Sequence, residues 1–296
     1  MTRKGGKLAA YALLTLSGLC WGAGFPMGKL ALRETDAVHM VLLRFAVAAL
    51  VALPFALRSR EARALFRCPP VLWSGVFYGI AFVIQFEGLA RTSVALSALL
   101  VGAMPAMIAL CAPLVGEKVS RISWIGVAGA TVGAALIAGR PEGAGTPLGV
   151  ALSLGSLLVF LAWLLVLRRA PASPPPMAIP AVGVIVAALT VLPIALVMHG
   201  PPNLALSPGA WAAIAGQGVF STLIATAAWQ AGSAQVDSAS AGVFINIEPL
   251  MGAALGVLLF GDRLTMALGL GGLLILGGSF VTVLGEAKAP ASPTPA

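Results

Sequence analysis

A carboxylate in the middle of an apolar run is the first place in this sequence where a side chain implies chemistry. Glu248 precedes Pro249 inside the run 237–260. An ionisable group at membrane depth is costly unless it faces a water-filled cavity or a partner. Two roles follow. Glu248 either carries a proton or contacts a solute, or it is hydrogen-bonded within a helix bundle and fixes its own helix. A second proline, Pro105, occupies a similar place in the run 94–115, preceded by Met104. Each proline removes a backbone donor and weakens the turn before it. With Gly102 and Gly242 nearby, the pair reads as two hinges near mid-depth, and Gly24 with Pro26 marks a third weak point.

Helical spacing gathers further side chains beside these positions. Tyr78, Phe82 and Gln85 fall on one helical face, as do Ser153, Ser156, Phe160 and Trp163. Ser97 and Met104 share a face, as do Ala241, Phe244 and Glu248, with Asn246 beside them and Trp229 at the end of the preceding run. Aromatic stripes alone are ordinary packing. Combined with polar groups, they describe an amphipathic cavity suited to a small molecule with apolar and polar parts. A zwitterion would be met there by Gln85, Asn246 and opened backbone, with Trp163 and Phe244 against its apolar portion.

Other chemistries find little support. The two histidines, His39 and His199, lie at the ends of apolar runs, and no metalloprotease motif or nucleophile elbow occurs. The stretch from Ala23 to Leu30 lacks the first glycine and the Ser/Thr of a phosphate loop, so pumping would have to use a gradient. Cys20, Cys68 and Cys111 are scattered and form no disulfide framework. No cofactor and no metal is expected.

The elements that must position these residues are helices in a bilayer. Hydrophobic residues make up 59% of the 296 and charged residues 9%, too few to cover a soluble surface. Apolar runs at about 8–32, 37–57, 71–90, 94–115, 121–139, 147–168, 176–198, 209–231, 237–260 and 265–285 are continuous and long enough to cross roughly 30 Å of hydrocarbon. Their continuity predicts helices, not the short alternating segments of a membrane barrel. The first run lacks a cleavage site and is taken as an uncleaved span. The tail 286–296 reads as disordered.

The net charge of +8 lies in the connections, which argues for membrane topology and against nucleic acid. On the side of the termini fall Arg3, Lys4, Lys7, Arg58, Arg60, Arg63, Arg67, Lys118, Arg121, Arg168, Arg169 and Lys288. On the other fall Lys29, Arg33, Arg91, Arg140 and Arg263. Arg44 lies inside the second run and enters neither group. This bias of twelve to five places both termini in the cytoplasm.

Residues 94–137 and 238–282 repeat one pattern. Pro105 answers Pro249, Glu117-Lys118 answers Asp262-Arg263, Ser120 answers Thr265, Gly126 answers Gly271 and Gly133 answers Gly278. More weakly, Trp21 answers Trp163. The charged pairs read as turns whose Ser and Thr cap the next helix, and the glycines as close helix packing. Five spans per half force the halves into opposite orientations, an inverted repeat with domains 8–139 and 147–285.

The proline, the acidic–basic pair and the glycine-rich helix, once per half, resemble the EamA-type repeat of the drug/metabolite transporter superfamily. Less closely, the chain resembles the YddG-type exporters of aromatic amino acids. The resemblance implies a secondary transporter in a bacterial-type inner membrane, with a small-molecule substrate, amino acids first, exported by alternating access. A monomer is compatible with this. Multidrug and nucleotide-sugar transport occur in the same superfamily and stay open, and an integral membrane enzyme is the alternative of another class.

Overall fold

The computed structural model describes residues 2–115, 119–139, 145–171, 177–236 and 238–287. The pair Glu117-Lys118 and nearly all of the tail 286–296 lie outside the described residues.

Among the described residues ten helical spans follow one another. Spans one to three are Thr2–Ala31, Ala37–Leu57 and Pro69–Ala90. Span four is two pieces, Val94–Val101 and Met104–Cys111, and span five is Arg121–Gly139. Spans six and seven are Pro147–Leu167 and Ala178–His199. Span eight joins Pro208–Gly216, a π-helical Gln217–Ile224 and Ala225–Ser233. Span nine is Ser238–Ile245 with Ile247–Phe260, and span ten is Met266–Ala287. Among the described residues 9 helices are long and apolar enough to cross a membrane, and the shorter apolar stretch Arg121–Ile137 belongs to span five. The protein is an all-α, multi-pass membrane protein.

The helix starts are written in the sequence. Asp36 accepts from the backbone of Val38 and His39, Ser93 from Leu96, Thr146 from Gly149 and Ser207 from Ala210. Each satisfies amides that the first turn leaves free. Proline follows directly at Pro147 and Pro208, where its missing donor costs nothing.

The two breaks have a common cause. Pro105 and Pro249 cannot donate to the residue four positions back, and their rings crowd that carbonyl. Just ahead of each proline the backbone tightens to three-residue bonds. Gly102 and Ala103 donate to Leu99 and Leu100, and Asn246 donates to Val243. The carbonyl of Gly102 is taken up at 2.5 Å by Ser279 of span ten. Span one behaves differently and runs as unbroken helix through Gly24 and Pro26, so no kink of the helical assignment marks the third weak point.

Packing displays the inverted repeat. Span five runs along span ten, span two along span seven, and span four along span nine. Span three packs on six as one packs on eight, and three on seven as two on eight. Exchanging the halves maps the first three contacts onto themselves and exchanges the members of each of the other two pairs. Glycines carry the closest of these crossings. A Cβ on Gly133 would lie 2.5 Å from the Gly271 carbonyl, and one on Gly278 would lie 2.5 Å from the Gly126 carbonyl. The repeat equates Gly126 with Gly271 and Gly133 with Gly278, so these two contacts are one contact seen twice. Gly269, which also belongs to this glycine-rich helix, faces open space. Large apolar side chains such as Leu189, Val197, Leu258 and Leu273 point outward, as hydrocarbon requires.

Candidate functional site

Spans one, two, three, four, six, eight and nine surround a central cavity enclosing about 780 Å³ free of protein atoms, its open mouth included. Span three contributes Tyr78, Phe82, Gln85 and Phe86, and span six contributes Leu157, Phe160, Trp163 and Leu164. These rings meet edge to face: Tyr78 lies 4.8 Å from Phe82, and Phe82 lies 5.1 Å from Phe160. Tyr78 and Trp163 approach to 5.0 Å. Trp21 of span one and Trp229 of span eight, 5.6 Å apart, form a second aromatic wall. Such geometries exploit the ring quadrupole and hold rings stiffly.

Both broken helices point their break at this space. Met104 and Glu248, equivalent in the repeat, both line it. Trp21 and Trp163, also equivalent, line it as well. The cavity is therefore built around the symmetry relation, and its chemistry breaks that relation where a thioether stands opposite a carboxylate. Glu248 is set close to span one, because a Cβ on Gly22 would lie 2.7 Å from the Glu248 carbonyl oxygen. Among the described residues the Glu248 carboxylate has no ion-pair partner.

Span eight supplies a polar edge. Ser17 donates to Ala225 at 2.8 Å, Ser221 to Cys20 at 2.5 Å, and Gln217 to Gly24 at 2.5 Å, stitching span one to span eight. The Tyr78 hydroxyl lies 2.8 Å from Thr226 Oγ1. A π-helical stretch is rare and recurs at functional sites, and here it carries the buried polar residues Gln217, Ser221 and Thr222.

The structure brings a further charged residue to the cavity. Arg44, 1% exposed, lies in span two and lines it. Its Nε and Nη2 donate to Thr222 Oγ1 at 3.1 and 2.7 Å, and Thr222 in turn donates to the Gln217 carbonyl. Its guanidinium carbon sits 4.2 Å from the Phe82 ring centre and 5.0 Å from that of Phe86. The rule that singles out Glu248, an ionisable group inside an apolar run, applies equally to Arg44; counting cations by side of the membrane hides it.

Seven of the expected contact residues line the cavity: Tyr78, Phe82, Gln85, Met104, Trp163, Trp229 and Glu248. Of the expected hinge residues, only Gly24 does. Ser97, Phe244 and Asn246 do not. Ser97 is fully buried. Phe244 stacks on Tyr11 at 5.3 Å, and Asn246 Nδ2 turns back to the Val243 carbonyl. Gly242 packs against Val283 of span ten.

The bundle end opposite the termini is held by contacts between the halves. Asp262 accepts from the Ala95 backbone at 2.8 Å, Arg33 sits over the Phe260 ring, and Glu34 accepts from the Ser207 backbone and hydroxyl. Those two donors hold the Glu34 carboxyl below its ordinary range. The contact is thus in place at neutral pH and is lost as pH falls through that lowered value. At the same end, Lys29 donates to the carbonyls of Leu89 and Thr92 at 2.8 and 2.6 Å.

Residues 8–139 and 147–284 each match the EamA-like transporter family. No curated protein gives a match. One solved structure, described only as the crystal structure of a protein, shares the fold at a TM-score of 0.66 and 19% identity, covering 97% of this chain and 99% of its own.

Proposed function

The chain belongs to the EamA-like transporter family, and on that premise we propose that it exports small amphipathic metabolites, amino acids foremost, by alternating access through the central cavity. Members of this family are membrane transporters, so a small solute and a lipid bilayer are its natural partners. The observation that carries the reading is the cavity itself. It is walled by aromatic rings from both repeats, edged by polar groups, and faced by both helix breaks. A broken helix offers free backbone groups and a place to bend, and sites of this kind sit between inverted repeats. Rocking one set of helices against the other then exposes one cavity to each side in turn. In this reading both termini are cytoplasmic, an orientation that the bias of basic residues supports, and the membrane is a bacterial-type inner membrane, in keeping with the family. Glu248 and the two breaks are the elements proposed to couple occupancy to movement.

Counterflow tests the reading. Purified protein in liposomes loaded with unlabelled solute is expected to accumulate labelled phenylalanine or leucine in a saturable manner, stimulated by the internal solute. If cationic drugs compete in this assay and amino acids do not, the amino-acid assignment falls while transport stands. Absence of saturable uptake for any small solute would reject the transport reading as a whole.

A further inference from the structure

Resting on the reading of the cavity as a solute site, we propose that Arg44 is the anchor for a substrate carboxylate, and that with Glu248 it makes the cavity selective for zwitterions bearing an apolar side chain. A guanidinium stays charged in proteins, so a buried one must be paid for by partners. Arg44 has part of that compensation. Thr222 Oγ1 occupies the edge formed by Nε and Nη2, and the rings of Phe82 and Phe86 lie within cation–π range. The remaining nitrogen, Nη1, is buried and has no hydrogen-bond partner among the described residues.

A buried, unpaired donor on a charged group is expensive, and its retention calls for an explanation. Arg44 lines the same cavity as Glu248, yet the two form no ion pair. An acidic and a basic group kept apart in one amphipathic space match a ligand that carries both an ammonium and a carboxylate. The carboxylate would accept from Nη1, an ammonium group would meet Glu248, and the apolar side chain would lie among Tyr78, Phe160 and Trp163. An organic cation would satisfy Glu248 alone and leave Arg44 uncompensated, so the geometry favours the acid over derivatives that lack the carboxylate. Thr222, whose hydroxyl is held by the π-helical carbonyl of Gln217, is a positioning residue for the guanidinium.

The test compares L-phenylalanine with L-phenylalaninamide, and L-leucine with L-leucinamide, in isothermal titrations of the purified full chain at about pH 6, where the amines of acid and amide are both protonated. Each pair then differs in charge only at the carboxylate. Expected is tighter binding of the acids by roughly tenfold to a hundredfold, the range of a charge-assisted hydrogen bond. In Arg44→Gln the ratio is expected to collapse to about one, and in Arg44→Lys to be kept in part. Equal binding of acid and amide by the native protein would overturn the proposal, and so would no binding of either acid. A ratio that survives in Arg44→Gln, with only the melting temperature lowered, would overturn it too by showing that Arg44 is structural. If amino-acid counterflow persists without acid-over-amide selectivity, the carboxylate anchor is wrong and the transport reading remains.

Discussion

Replacing Glu248 with glutamine is expected to cut counterflow by at least about tenfold, some 1.4 kcal/mol in the slow step, and to flatten its dependence on pH. Glutamine keeps the shape and one acceptor but cannot ionise. Glu248 lies just before Pro249, after the break at Asn246 and against Gly22, and it is the acidic side chain lining the cavity. An ammonium group or a proton reaching the cavity centre would meet it there. Glu248→Asp, which keeps the charge on a shorter stem, is expected to retain the pH profile at reduced rate. Measuring both variants across about pH 5 to 8 distinguishes charge from packing. Unchanged rates and an unchanged profile in Glu248→Gln would remove this carboxylate from the coupling step, and the residue would then serve only to fix span nine.

The largest effect on stability is expected from Gly278→Val. A Cβ at this position would lie 2.5 Å from both the Ala130 amide nitrogen and the Gly126 carbonyl oxygen. Backbone cannot turn aside as a side-chain tip can, so spans five and ten would have to separate. Overpacking costs about 1–3 kcal/mol where side chains can yield, and this site belongs at or above the upper end. An apparent melting temperature in detergent lower by on the order of 5 °C is the expected result. The neighbouring Gly277 provides the control, because a Cβ there meets nothing within 4 Å. Equal melting of Gly277→Val and Gly278→Val would contradict close backbone packing as the bond between the halves.

How far the sequence speaks for itself is visible at particular residues. The spans are legible because a bilayer demands long apolar runs, and both breaks are legible because a proline acts on the turn just before it. The cavity face of span three is legible for a similar reason: Tyr78, Phe82 and Gln85 lie on one uninterrupted helix, where periodicity holds. Periodicity fails across a break. Ser97 and Met104 are separated by the interruption at Gly102 and Ala103, and Phe244 and Glu248 by the one at Asn246. The rotation of 100° per residue is not carried through, so only the member after each break reaches the cavity. The π segment of span eight is invisible to sequence patterning because Gln217, Ser221 and Thr222 mark a polar stretch without marking a change of helical pitch. Its effect appears only in three dimensions, where Thr222 meets a guanidinium from the other half of the chain.

The two repeats also differ in what they give the centre. The first half supplies the basic group, Arg44, and the second supplies the acidic group, Glu248, and the hydroxyl partner, Thr222. Symmetry of the backbone with asymmetry of the lining allows one site to be presented to either side with an unchanged set of contacts.

Access to that lining from the two faces of the membrane is the most direct measurement of alternating access. Leu164 and Val101 line the cavity from different halves, and Leu164→Cys and Val101→Cys can each be made in a chain whose Cys20, Cys68 and Cys111 are replaced by alanine. Expected is labelling by a membrane-impermeant maleimide applied to either face, with saturating substrate slowing the reaction from both. Labelling from one face only, at a rate that substrate leaves unchanged, would contradict a shared site that opens alternately to each side.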